Sequence, residues 1–366
     1  MTRAAALALA LAVAVVACTR PGEDRVARDL AVGAATIDGA TVDVAGGLAH
    51  VRALVPGAVA LWAQAPVLEL AVELDAAGAW TIEVANALPD AELVATSAAG
   101  ESIAAAALPA ARPTVRAWTL ALPAGVTTVR IAPPDAGDVT TLWRFAVMGD
   151  IQGAMPEVDE VFARIDAEPG VRFVVSTGDI VDRGQEAEYE LFERQLATLD
   201  VPFYSTIGNH ELFDDVDRWY RRYGRANVHF RFRAVTFTLI DSASATIDPA
   251  VDRWLDAWLA EAAGDLHLFG THYPPVDPVG VRQGSFASRR EGQALLARLA
   301  AAGVDLTVYG HIHTYVGFDN AGIPAYISGG GGAQPLRLDG IGRHFLAVDV
   351  DPTAPRFTDV RVVRVD

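Results

Sequence analysis

The sequence predicts two folded units, a smaller β-sandwich followed by a larger α/β domain. Three observations carry this reading. Up to about residue 139 the apolar residues fall in short, partly alternating runs separated by turn signals, and from Leu142 onward strands alternate with helices. In the second part, five strand-like runs each end in a polar residue of the kind that ligates metals. In open α/β sheets that edge of the strands is where sites are built.

At 366 residues, with 51% of them hydrophobic, the chain has room for two cores. Its formal charge is −17, and all 29 basic residues are Arg. An acidic surface repels phosphate backbones, so no nucleic-acid groove is expected. A small phosphorylated substrate stays compatible, because bound metal ions reverse the field locally.

The chain opens with Arg3 and an unbroken apolar run from Ala4 to Ala17, short for a membrane-spanning helix and placed where a secretory signal has its apolar region. Residues 1–17 are therefore expected to be a signal peptide. The run ends in Val15-Val16-Ala17-Cys18, which resembles the lipobox of bacterial lipoproteins, and Cys18 is the single cysteine. This implies export and a lipid anchor at a membrane surface of the bacterial cell envelope, with an ordinary cleaved signal peptide as the alternative. Residues 18–28 are polar and charged and read as a structureless tether. Residues 29–139 carry runs such as Val67–Leu74 and Ala79–Val84 between Gly, Asp, Pro and Asn turns, the pattern of an antiparallel β-sandwich of immunoglobulin or fibronectin type III-like kind. No chemistry is legible there; a spacer, a substrate-side wall and a glycan- or partner-binding module all fit. Ala132–Asp138, with two consecutive prolines, reads as the linker.

Residues 140–366 form the α/β domain. Strand-like runs at Phe145–Met148, Phe173–Thr177, Val201–Ile207, Leu266–Phe269 and Leu306–Tyr309 alternate with helical patterns at Pro156–Glu168, Glu186–Leu199, Pro249–Ala262 and Arg290–Ala302. Just past the strands stand Asp150 with Gln152, Asp179, Asn209 with His210, His272, and His311 with His313. Singly these fragments are weak, since Gly-Asp is common in turns and His-x-His occurs by chance. Together they supply carboxylate, amide and imidazole donors from one sheet edge, which suits Mn, Fe or Zn.

The five blocks Gly149-Asp150-Ile151-Gln152, Gly178-Asp179-Ile180-Val181-Asp182-Arg183-Gly184, Gly208-Asn209-His210-Glu211, Gly270-Thr271-His272 and Gly310-His311-Ile312-His313 resemble, in order, those of the calcineurin-like metallophosphoesterase superfamily. The resemblance covers residues 143 to about 335. It implies a two-sheet α/β sandwich flanked by helices, with two divalent or trivalent metal ions at the strand ends. Asp150, Gln152, Asp179 and His313 would bind one ion, and Asp179 as a bridge, Asn209, His272 and His311 the other. A bridging hydroxide would then attack a phosphomonoester or phosphodiester in line. His210, left over as a non-ligand, would stand beside the leaving group, oriented by Asp182, while Arg183 contacts the phosphate. Asp182 as a helix cap and Arg183 as a surface charge are the bland alternatives. Gln152 departs from the His that most of the superfamily carries there; it is a neutral, weaker ligand. It is also the support for a second reading, a non-catalytic, metal-containing lipoprotein that acts as a binding or scaffolding module.

Outside the motifs, His50, His229, His267 and His344 read as structural. The Gly-rich stretch Ser328–Ala333 reads as an active-site loop, and Gly280–Arg289 as a substrate-facing loop. Arg282, Arg289 and Arg290 read first as solvated charge.

Overall fold

A computed structural model describes residues 22–137, 139–281, 283–336 and 340–366. The expected signal peptide, Cys18 and Arg282 lie outside the described residues. No described helix is long and apolar enough to cross a membrane.

The amino-terminal half is two sheets face to face. One runs in the order Ala34–Ile37, Ala40–Val44, Leu68–Leu74, Gly125–Ala132, Glu92–Ser97, Ser102–Ile103; the other Ala49–Val55, Ala58–Ala63, Gly78–Ala85, Val115–Leu122, Ala105–Ala107. Alternation decides the faces: Leu68, Leu70, Val72 and Leu74 point inward from one sheet, and Trp80, Ile82 and Val84 from the other, into one apolar core. The expected all-antiparallel pairing is corrected at one place. Ala58–Ala63 pairs parallel with Gly78–Ala85, because the chain crosses through Leu68–Leu74 in the opposite sheet before it returns.

The second half is also two sheets. Trp143–Met148 lies at the centre of one, parallel to Val171–Ser176 on one side and antiparallel to His344–Asp351 on the other. Phe203–Ser205 and Arg356–Arg364 form its edges. The facing sheet is Val228–Phe232, Val235–Ile240, Leu266–Thr271, Leu306–Tyr309, Ile323–Ser328, Tyr315–Asn320. Aromatic rings fill the space between them: Phe145 packs edge-on against Phe237 at 5.2 Å, and Phe173 against Phe237 at 5.4 Å. Helices Val158–Asp166 and Glu186–Leu196 cover the outer face of the first sheet. Pro249–Glu261 and Arg289–Ala302 cover that of the second. The parallel strands therefore release their carboxy-terminal ends at one edge, where the five motif blocks begin.

The tether expectation for residues 18–28 is corrected where the chain is described: Glu23–Ala31 is a helix packed on the α/β domain. Polar side chains dock it, which is why its composition reads as solvent-exposed. Asp29, fully buried, accepts from the backbone N–H of Ala226 at 2.8 Å and from Asn227 Nδ2. Arg25 donates to Asp241 Oδ2 at 2.6 Å and to Ser244 Oγ at 3.0 Å. The segment read as a linker is also fastened, since Arg233 N donates to the Ala136 carbonyl and the Arg233 guanidinium pairs with Asp135.

Candidate metal centre

Asp150 and Asp179 emerge from neighbouring parallel strands, and both carboxylates are fully buried. Asp150 (φ 64°), Gln152 (φ 47°), Asp179 (φ 56°) and His311 (φ 66°) all lie in the left-handed region. Non-glycine residues held there cost on the order of 1–3 kcal/mol each, so the surrounding structure must enforce the turns. Gly208 shows how tightly: a Cβ there would stand 2.1 Å from Asp179 Oδ1 and 2.7 Å from His272 Nδ1. The Gly-rich stretch supports the same turn from behind, with Gly331 N donating to the Gly149 carbonyl and Ala333 N to that of Asp150.

Donor atoms of Asp179, His272 and His311 lie within 4.8 Å of one another, as do those of Asp150, Asp179 and His313. The two groups share Asp179. Asn209 Oδ1 stands 3.0 Å from both His272 Nε2 and His311 Nδ1. Gln152 Nε2 donates to Asp179 Oδ2 at 2.8 Å and lies 3.0 Å from His313 Nε2; turning the amide end over would present its oxygen to the same point.

Three features of this cluster fit cations. First, each of the three imidazoles gives one ring nitrogen to a carbonyl: His272 Nδ1 to Thr177 (3.0 Å), His311 Nε2 to Gln283 (2.9 Å) and His313 Nδ1 to Gln334 (2.9 Å). A carbonyl can only accept, so the N–H points outward and the other nitrogen faces the cluster, the usual device for orienting a metal-binding His. Second, burial, with the charge of His272 adding to it, lowers the His311 pKa to about 4 and keeps the ring neutral. Its Nδ1 lone pair then meets an amide oxygen at 3.0 Å, an acceptor facing an acceptor that a cation between them resolves. Third, two buried carboxylates need a counter-charge. Burial pushes Asp150 up to about 6 against the pull of His272 and His313. Burial also opposes ionisation of Asp179, but His272 and His210 outweigh it and hold that carboxyl well below its usual range. Those carboxylates in turn raise His272 to about 9 despite its burial. Cation binding would displace that proton.

His210 is not part of either group. Its backbone N–H donates to Asp179 Oδ1 at 2.9 Å, its ring rests on Phe213, and Nε2 stands 3.8 Å from Asp179 Oδ2 at the rim. Nδ1 is 2.5 Å from the backbone carbonyl of Asp182, whereas the Asp182 carboxylate is 3.8 Å away. The structure thus puts the Asp182 main chain, rather than its side chain, in the orienting position. Arg183 is exposed and borders the hollow beside His210, 3.5 Å from Asp182 Oδ2.

Three residues with no role assigned from the sequence also shape the site. Glu211, fully buried, accepts from the N–H groups of Gly208 (2.6 Å), Ile180 (2.8 Å), Asp179 (3.1 Å) and Val181 (3.3 Å), clamping two motif loops together. Burial raises its carboxyl to about 7. The signal was present, since Glu211 closes the Gly-Asn-His-Glu block. Tyr273 lies tilted against His311 with ring centroids 3.7 Å apart, and Gln283 (φ 60°) turns its carbonyl toward the same imidazole. Of the histidines read as structural, His229 and His267 flank Thr238 Oγ1 in a buried chain remote from the motifs. His344 instead packs behind Gly330 of the Gly-rich stretch.

Oxygen and nitrogen donors gathered at the strand ends of a two-sheet α/β sandwich, with a non-ligating His at the rim, define the class of metal-dependent hydrolases. Comparison with known proteins narrows it: residues 144–315 match the calcineurin-like phosphoesterase family model, so the second half of the chain carries a domain similar to that family. The chain is 28% identical over 159 residues to the "Probable glycerophosphodiester phosphodiesterase GpdQ" of Arcobacter nitrofigilis, a match covering 40% of this chain and 58% of that protein. It is 24% identical over 185 residues to the "3',5'-cyclic-nucleotide phosphodiesterase alr5338" of Nostoc sp., covering 48% of this chain and 64% of the relative. The chain thus spans less than two thirds of either relative. Among solved structures, a dimetal phosphatase from Danio rerio superposes with a TM-score of 0.48 at 14% identity, covering 61% of this chain and 96% of that one.

Proposed function

We propose that the protein hydrolyses phosphoesters at a pair of metal ions, one held by Asp150, Gln152, Asp179 and His313 and the other by Asp179, Asn209, His272 and His311. The observation that carries the reading is His210, an imidazole fixed at the rim without joining either ligand group. When bound, ions there would supply an activated hydroxide and charge to hold the phosphoryl oxygens, with Mn, Fe and Zn all suited to the donor set. The chain's own residues do the rest. Asp179 faces both ion positions and fixes the His210 main chain. With Nδ1–H committed to the Asp182 carbonyl, a second proton on His210 goes to Nε2, the atom facing the cluster, from which it passes to the leaving alcohol oxygen. Arg183, at the open side of the same hollow, meets the entering phosphate. The two relatives named as diesterases favour diesters over monoesters.

The test is metal-dependent hydrolysis of bis-p-nitrophenyl phosphate and p-nitrophenyl phosphate after chelation and re-addition of Mn, Fe or Zn. His210→Ala is expected to keep its metal content and lose about 10²–10⁴-fold in kcat. Unchanged kcat would overturn the role assigned to His210.

Export and lipid anchoring through Cys18 are part of the proposal, supported by the apolar run Ala4–Ala17 and the lipobox-like Val15–Cys18. A Cys18→Ser variant is expected to lose detergent-phase partitioning. If it partitions as the wild type does, the protein has no anchor at Cys18.

A further inference from the structure

Beside the metal centre lies a hollow of about 920 Å³ that none of the assigned residues uses. Two of its lining residues, Tyr273 and Gln283, are the ones that hold His311, so the hollow lies one residue away from the ligand cluster on the side of that imidazole. It is on the cluster's His311 side, whereas the hollow at His210, bordered by Asp182, Arg183 and Phe213, is separate from it and shares none of its lining. A phosphoryl group held at the ions would have the His210 hollow on one side and, beyond Tyr273 and Gln283, this hollow on the other. A monoester has one organic substituent and needs one hollow; a diester has two.

We propose that this hollow is the subsite for the retained alcohol of a phosphodiester, an uncharged, hydroxyl-bearing group such as a polyol or a nucleoside, while the departing alcohol occupies the His210 side. The proposal rests on the phosphoesterase reading above. Its chemistry follows from the lining. The side-chain polar atoms of Tyr273, Gln283, Ser285, Arg289 and Gln293 make no hydrogen bond within the protein among the described residues, so donors and acceptors are available to hydroxyl groups. Among the described residues, Arg289 and Asp277 are its charged lining residues, a balanced pair that favours an arm without net charge. Phe286 and Val281 add apolar surface for a ring face or carbon chain. The wall is braced rather than loose: Ser242 Oγ accepts from Tyr273 N at 2.8 Å, Ala245 O accepts from Ala287 N at 2.8 Å, and Arg25 reaches Ser244 from the first helix.

The experiment compares substrates with a common p-nitrophenyl leaving group: thymidine 5′-p-nitrophenyl phosphate, glyceryl p-nitrophenyl phosphate, and p-nitrophenyl phosphate, which has no second arm. In Ser285→Trp, KM for the thymidine diester is expected to rise at least tenfold with kcat within twofold, while both constants for the monoester stay within twofold. Gln293→Trp, on the exposed face of Arg289–Ala302, repeats the measurement should Ser285→Trp fail to fold. A glyceryl arm less affected than the thymidine arm assigns the hollow to a nucleoside; equal effects on both assign it to any polyol. KM changes shared equally by monoester and diesters, or absent from both, overturn the subsite and leave the phosphoesterase standing. Wild-type protein that turns over none of the three with any metal overturns the phosphoesterase reading and the subsite with it.

Discussion

Replacing Glu211 by Ala removes the acceptor for four backbone N–H groups, those of Gly208, Asp179, Ile180 and Val181. The site is fully buried. Each orphaned donor costs about 1–3 kcal/mol. Water entering the vacated space can satisfy about half of them, which leaves an expected loss of about 2–6 kcal/mol, a large share of the ~5–15 kcal/mol of a typical domain. Glu211→Gln, which keeps one oxygen, should lose about half as much. The assay is urea unfolding of chelated protein followed by tryptophan fluorescence, so that ion binding does not enter the result. A loss below about 1 kcal/mol for Glu211→Ala would show that the two loops hold their shape without the clamp.

Other expectations follow from the same structure. His267 is buried beside Thr238, and its pKa falls to about 4, chiefly through burial. The unfolded chain then binds the extra proton between pH 6.5 and 4, so this group's contribution to stability is lost as pH falls through that window. The stability gap between wild type and His267→Gln should shrink by about 3 kcal/mol from pH 7 to pH 4 in parallel urea titrations; a constant gap would refute it. Gly208→Ala drives a Cβ into Asp179 and His272 and should weaken metal binding on the order of 100-fold, read by equilibrium dialysis. Metal itself should raise unfolding stability by about 2.7 kcal/mol at a free concentration one hundred times its Kd. Arg25→Ala should raise KM more than it lowers kcat, because Arg25 touches the cavity wall through Ser244, and Arg25→Lys should recover part of the loss.

The α/β domain was legible because its strands are continuous apolar runs and its first ligands stand two or three residues past them. Leu266–Phe269 followed by His272, and Leu306–Tyr309 followed by His311, need no tertiary information to be seen. The contacts that hold the ligands were not legible. Thr177, Gln283 and Gln334 act through backbone carbonyls, which any residue type supplies, and Asp182 proves to face His210 with its main chain for the same reason. The helix Glu23–Ala31 escaped notice because it docks through Arg25 and Asp29, residue types that composition assigns to solvent. The parallel pairing of Ala58–Ala63 with Gly78–Ala85 was hidden because alternation reports which face a side chain takes and carries no sign of strand direction.

The docked helix Glu23–Ala31 bears on distance as well as shape. On the lipoprotein reading, Cys18 precedes Glu23 by five residues, a leash of at most about 18 Å. Glu23–Ala31 carries Arg25, which grips the wall of the cavity. The substrate hollow would then be held close above the bilayer, its approach to a headgroup set by a short chain rather than by free tumbling. Search would become two-dimensional. The excess of acidic side chains, which makes the protein as a whole shun an anionic membrane, would leave the leash as the force that keeps it there.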